Sequence, residues 1–153
     1  MNVLVCIKQV PDTDTKIKIQ GTGIDQNGIK WIINPYDEYA IVEATKIKAL
    51  KPDAKIYAVT VGPKARVASA LRTALAMGCD EAVAVDCNDE LDAYTISKTL
   101  SLVAKKIGNV HAVLMGKAAI DDNNFAVGQM TAEFLEFPHV TSVTKSDYAG
   151  NMV

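Results

Sequence analysis

The chain has 153 residues, 49% of them hydrophobic and 22% charged, with a formal net charge of -2; these are the proportions of one ordinary globular domain, long enough to bury roughly two thirds of the surface its unfolded form exposes. A binder of duplex nucleic acid needs a surplus of Lys and Arg to displace counterions, and 16 basic residues against 18 acidic ones, spread along the chain, set that class aside. Cys6, Cys79 and Cys87 form neither a disulfide framework nor a zinc pattern and read as core residues of a protein in the reducing cytoplasm, while no stretch reaches the length of a membrane span.

Met1 leads straight into an apolar run at Val3–Ile7, so the mature chain is expected to begin here, with no leader before it. Lys16–Ile33 then places IKI and KWII on either side of a Gly- and Asn-rich turn, which predicts a hairpin inserted after the first strand. Gly21-Thr22-Gly23 reads as its turn and not as a dinucleotide fingerprint, because no helix follows. Trp31, in the same hairpin, reads as a packing or interface residue. Asp37–Leu50 sets Ala40, Ile41, Ala44, Ile47 and Leu50 on one helical face, with Asn34 as its cap and Pro35 in its first turn.

Further strands are predicted at Ile56–Val61, Glu81–Val85, His111–Met115 and Val140–Val143. Between them, Pro63 opens a helix that Gly78 ends, and Asp89 or Asp92 caps another that runs to Ile107 before Gly108. A last helix covers Asn124–Leu135 and stops before Pro138. His111 opens its strand and reads as core. Ser142–Val153 looks like a strand, a turn at Ala149–Asn151 and the start of another strand, so a fragment of a longer chain is expected.

Strands alternating with helices predict an α/β fold with a doubly wound, mostly parallel sheet. It is Rossmann-like, of the adenine-nucleotide-binding type, with strand order 3-2-1-4-5. In such sheets ligands collect beyond the carboxyl ends of the strands, where the order reverses. If the first and fourth strands are neighbours there, the loop that begins at Lys8 meets the loop from Gly116 to Asn124, GKAAIDDNN. Gly116 permits a close backbone approach, Lys117 offers a cation, and the helix that follows offers amides to a phosphate. An ordinary strand-to-helix turn accounts for the same residues. It is no P-loop, since His111 stands where the first glycine would be. The pairs Asp12/Asp14 and Asp121/Asp122 read as solvated loop caps before metal ligands.

Four blocks in order, VLVCIKQVPDT, NPYDEYAIVEATKIK, VGPKARVASALRTALAMGCDEA and GKAAIDDNNFAVGQMTAEFLEFPHVTSV, resemble the β subunit of electron-transfer flavoproteins over nearly the whole chain. The resemblance implies a heterodimer with an α subunit that carries most of the contacts to FAD. Such a dimer takes electrons from acyl-CoA or related dehydrogenases towards a membrane quinone oxidoreductase. It implies an AMP of structural role in the β subunit, no catalytic residues, and no membrane insertion. The family's AMP contacts would fall on Cys6, Asn34, Pro35, Tyr36, Asp37 and Val61. The rest would come from the loop Met115, Gly116, Lys117, Ala118, Ala119, Ile120, Asp121, Asp122, Asn123, Asn124, Phe125 and Ala126.

Members often read GKQAID where this chain has GKAAID, so Ala118 lacks whatever a Gln side chain would touch. A bifurcating branch of the family holds a second FAD in this crevice; NPYDE and Asp121-Asp122-Asn123 lean towards AMP. A free-standing ATP-binding stress-response domain is the reading from another class, and the missing Gly-rich phosphate loop argues against it. The whole of 1–153 is expected to be a single nucleotide-binding domain without the family's C-terminal segment, which includes the loop that anchors dehydrogenases.

Overall fold

The computed structural model describes residues 1–148. In chain order, β1 (Asn2–Cys6) is followed by the short strands β2 (Gln9–Pro11), β3 (Ile19–Gln20), β4 (Gly23–Ile24) and β5 (Trp31–Ile33). Helices and strands then alternate: α1 (Pro35–Leu50), β6 (Lys55–Gly62), α2 (Lys64–Ala76), β7 (Glu81–Asp86), α3 (Ala93–Ile107), β8 (Val110–Met115) and α4 (Ala126–Leu135).

The four long strands pair in parallel in the order β7-β6-β1-β8, the third, second, first and fourth parallel strands. The central strand β1 is apolar on both sides because both sides are covered. Val3 and Val5 pack with α1 and α2 residues such as Ile41, Ile47 and Leu71. Leu4 and Cys6 pack on the opposite face with Leu100 and Ala104 of α3 and Val127 of α4. A sheet clad by two helices on each face is the doubly wound α/β architecture.

Element boundaries follow local chemistry. Pro35 opens α1. Asp92 caps α3 by accepting the Thr95 N–H at 2.8 Å. Gly108, with φ 70°, ends that helix.

Five expectations are corrected. Val140–Val143 forms no strand: Val140 is 81% exposed, since after Pro138 the chain leaves the β8 edge and has no strand to pair with. The chain instead reaches α1, where Tyr148 Oη donates to Glu43 at 2.9 Å. A strand from Ser142 is likewise absent up to Tyr148, and the turn at Ala149–Asn151 lies outside the described residues.

The inserted segment forms two ribbons, not one. Gln20-Gly21-Thr22-Gly23 turns a two-residue hairpin, β3 with β4, as expected, but KWII pairs through β5 with β2. The longer loop lets Trp31–Ile33 reach the apolar Val10 in place of IKI. Leu50 is exposed because it lies in the last turn, beyond the sheet. His111 is exposed too, with Nδ1 at 2.8 Å from the Asn109 carbonyl, because it sits at the start of an edge strand.

Candidate functional site

The first and fourth parallel strands lie side by side, with Cys6 paired to Met115. Their following loops therefore meet at the carboxyl edge, where the strand order reverses. The start of α1 stitches the two loops together. Asp37, 5% exposed, accepts the Lys8 N–H on Oδ2 (2.7 Å) and the Gly116 N–H on Oδ1 (2.9 Å). Asn34, 1% exposed, donates from Nδ2 to the Ala118 carbonyl (2.9 Å), and its Oδ1 accepts the Ile120 N–H (3.2 Å). Its own main-chain N–H donates to the Lys8 carbonyl at 2.8 Å.

Asn34 therefore sits at the N-cap position but makes no side-chain cap. A buried amide is satisfied by whatever polar groups surround it, and here those belong to the loop after β8. Gly116 is required for the same reason. A β-carbon there would lie 2.7 Å from the Tyr36 carbonyl carbon and against Asp37 Oδ1. The close approach that the glycine permits is made by α1.

Burial pushes the Asp37 carboxyl up to about 6, against the hydrogen bonds from Lys8, Asn34 and Gly116, which favour its ionised form. The space between Lys8, Asn34 and Gly116 is thus filled by the chain itself. Lys8 Nζ is engaged as well, by Asp121 (2.8 Å) and Asp122 (3.0 Å). Partial burial works against ionisation of Asp122, yet the Asn124 N–H and Lys8 hold its carboxyl below the ordinary range. Asp121 and Asp122 so pair with a lysine, and Asp12 with Lys30. Among the described residues no three His, Cys, Asp or Glu side chains gather as a metal site would require.

The other candidate residues fall into two groups beside this clasp. Cys6, Val61 and Met115 meet on the α3/α4 face, with Val127 of α4 against them. Cys6 is a neutral thiol, since burial and then the nearby Asp37 charge push its pKa far up. Val61 and Met115 are only half-buried, so an apolar surface is left partly uncovered just beyond the sheet. At the rim stand Tyr36 and Phe125, with the Lys117 ammonium 5.8 Å and 6.0 Å from their ring centroids. Among the described residues Lys117 has no carboxylate partner.

The loop between closes on itself. Asn123 takes a positive φ of 57°, Asn124 Oδ1 accepts the Ala126 N–H at 2.8 Å, and Ala119 accepts the Asn123 N–H at 2.9 Å. Pro35 faces no loop by a polar contact; it opens α1.

An uncovered apolar floor, a free cation and the amino end of α4 are what a planar base carrying one phosphate would need. The side chains of Asn34 and Asp37 are already committed to main-chain atoms of the two loops, while Val61 and Met115 are half-buried and Lys117 is exposed. Sequence reasoning missed Arg66, which stacks on Trp31 at the same edge with its guanidinium carbon 4.3 Å from the ring centroid. Only its place two residues after Gly-Pro-Lys hinted at it.

Residues 22–153 match the family described as "Electron transfer flavoprotein domain". The chain is 43% identical over 153 residues to the electron transfer flavoprotein subunit beta of Bacillus subtilis, covering 98% of this chain and 58% of that one. It is 36% identical over 157 residues to the human protein of that name, covering 99% and 61%. The Dictyostelium discoideum subunit is also 36% identical, over 156 residues, covering 100% and 61%. The chain spans about three fifths of the length of the curated relatives it matches.

Proposed function

The chain belongs to the electron transfer flavoprotein family, of the subunit beta type, and from that premise we propose that residues 1–153 form the nucleotide-binding domain of an electron carrier, holding AMP at the carboxyl edge of the sheet. The observation that carries this reading is the floor of half-buried Val61 and Met115 over buried Cys6, together with Lys117, which has no carboxylate partner among the described residues, and the start of α4. The adenine ring lies against the floor, and the phosphate takes Lys117 and the α4 amides that follow Ala126, whose own N–H is held by Asn124. Asp121 and Asp122, already committed to Lys8, repel a triphosphate more than a monophosphate.

The carrier works as a heterodimer with an α subunit that contributes most of the FAD site. It passes electrons from acyl-CoA or related dehydrogenases to a quinone oxidoreductase. The flavin supplies the redox chemistry; this chain contributes orientation and a rigid partner surface, and none of its residues is catalytic. The cytoplasm is its compartment, a reading that rests on its free cysteines. Among the described residues no helix is long and apolar enough to cross a membrane.

Denaturing the purified protein and separating the supernatant by HPLC tests the nucleotide. AMP at about one equivalent is expected. A folded sample that releases nothing overturns the reading, and FAD in its place assigns the crevice to a second flavin.

A further inference from the structure

Asn34 and Asp37 stand close together at the start of α1, and the fold gives them different kinds of partner. Asn34 meets one acceptor and one donor, the Ala118 carbonyl and the Ile120 N–H, which an amide satisfies without charge. Asp37 meets two donors, the Lys8 N–H on one carboxyl oxygen and the Gly116 N–H on the other. Only the ionised carboxyl offers two acceptor oxygens; protonation turns one of them into a donor. Acid therefore unties one of the two loops and leaves the Asn34 contacts as they were.

Those loops carry opposite sides of the crevice. The Lys8 loop continues from Cys6, and Gly116 lies between Met115 and Lys117. A β-carbon on Gly116 would overlap Asp37 Oδ1, so the tie is as close as the backbone allows.

The groups around the carboxyl leave its charge weakly supported. On β1, Cys6 is a buried neutral thiol. Lys8 Nζ is taken by Asp121 and Asp122 of the loop after β8. Lys117 of that loop lies against Tyr36 and Phe125, and Glu38, next on α1, is exposed. Burial outweighs the hydrogen bonds from Lys8, Asn34 and Gly116 and the charge of Lys8, and lifts the Asp37 carboxyl to about 6.

We propose that Asp37 is a positioning residue for the nucleotide: its carboxylate, while ionised, holds the Lys8 and Gly116 loops in the arrangement that binds, and its protonation weakens the site. The inference rests on the nucleotide reading above. Linkage works in both directions, so bound nucleotide favours the ionised carboxylate. Folding and binding then respond to acid with opposite signs. Because folding raises the Asp37 pKa, its contribution to stability is present in acid and is lost as pH rises through about 6. The hold on nucleotide is weak in acid and is gained over the same range, an effect that a merely structural side chain would not produce.

The test titrates the nucleotide-free chain with AMP by calorimetry between about pH 8 and about pH 5, with circular dichroism to follow the fold. A phosphomonoester itself titrates near pH 6, so the comparison is with Asp37→Asn, which keeps the ligand's part of the effect and lacks the protein's. Between about pH 7 and about pH 5 the wild-type dissociation constant is expected to rise about tenfold more than that of Asp37→Asn. The Asn variant is expected to bind weakly even at the upper end, while Glu38→Gln follows wild type. In the wild-type chain the Lys8 and Gly116 amide resonances should titrate together with a midpoint near 6, and lower with AMP bound; this reading decides if Asp37→Asn fails to fold.

Equal pH dependence in wild type and Asp37→Asn assigns the effect to the phosphate of the ligand and overturns the proposal. A wild-type affinity that does not change with pH overturns it too, as do Lys8 and Gly116 amides that do not titrate, and all three leave the nucleotide reading standing. A folded wild-type chain that binds no AMP anywhere in this range overturns the nucleotide reading together with this one.

Discussion

The two edges of the parallel sheet handle polar groups in opposite ways. At the amino edge charges sit outside the core and pair with one another: Lys48 with Asp80 and Lys55 with Glu81. At the carboxyl edge the polar groups that matter are inside: Asn34 and Asp37 are buried and bind main-chain atoms of two loops. Lys8 pairs with Asp121 and Asp122 there too, but two other cations, Lys117 and Arg66, lie against aromatic rings with no carboxylate partner among the described residues. Exposed pairs contribute little to stability, whereas buried polar groups are costly to misplace. The amino edge therefore closes the fold, and the carboxyl edge spends stability on holding loops and cations in set positions.

The largest test of that contrast is Gly116→Ala. Its methyl group collides with the Tyr36 main chain, which cannot give way without moving α1. A loss of about 3 kcal/mol is expected in urea unfolding, with loss of bound nucleotide; an unchanged midpoint would break the comparison at its centre.

Asp37→Asn comes next and reads out in pH. Folding raises the Asp37 pKa from 3.8 to about 6, so the stability linked to its protonated form is fully present below about pH 4. It is lost as pH rises through about 6, a change of roughly 3 kcal/mol. The Asn variant should show a flat profile across that window, and one of the amides of Lys8 and Gly116 should exchange faster, since an amide side chain has only one acceptor oxygen.

Asn34→Ala removes the partners of the Ala118 carbonyl and the Ile120 N–H. A cost of about 1–3 kcal/mol is expected, with hydrogen exchange speeding up over 118–120 and not over β6. Lys55→Gln, at the amino edge, is the smallest: the urea midpoint is expected to stay at the wild-type value. A loss there would show that the amino edge is not the passive one.

The alternation of elements was legible because its signals are local. Buried parallel strands are apolar runs, and Pro35, Asp92, Gly78 and Gly108 mark ends by their own backbone or capping chemistry. The arrangement of β1 beside β8 followed from the general rule for doubly wound sheets. Pairing choices were less legible. KWII has two apolar partners within reach, IKI and the run around Val10, and only the packed sheet selects β2. Asn34 carries a capping residue's sequence signature, yet a loop 84 residues away takes its side chain.

By itself, then, the sequence determined the four parallel strands, the helices that alternate with them and the family to which the chain belongs, since the strand and helix signals are local, while it misplaced a strand at Val140–Val143. Tertiary structure alone decided that Asp37 is a buried tie between two loops and that, among the described residues, Lys8 is paired with carboxylates while Lys117 and the Arg66 stacked on Trp31 are not. Those states depend on which distant atoms come within about 3 Å and on how much water is excluded around them, and neither quantity is written in any local stretch of residues.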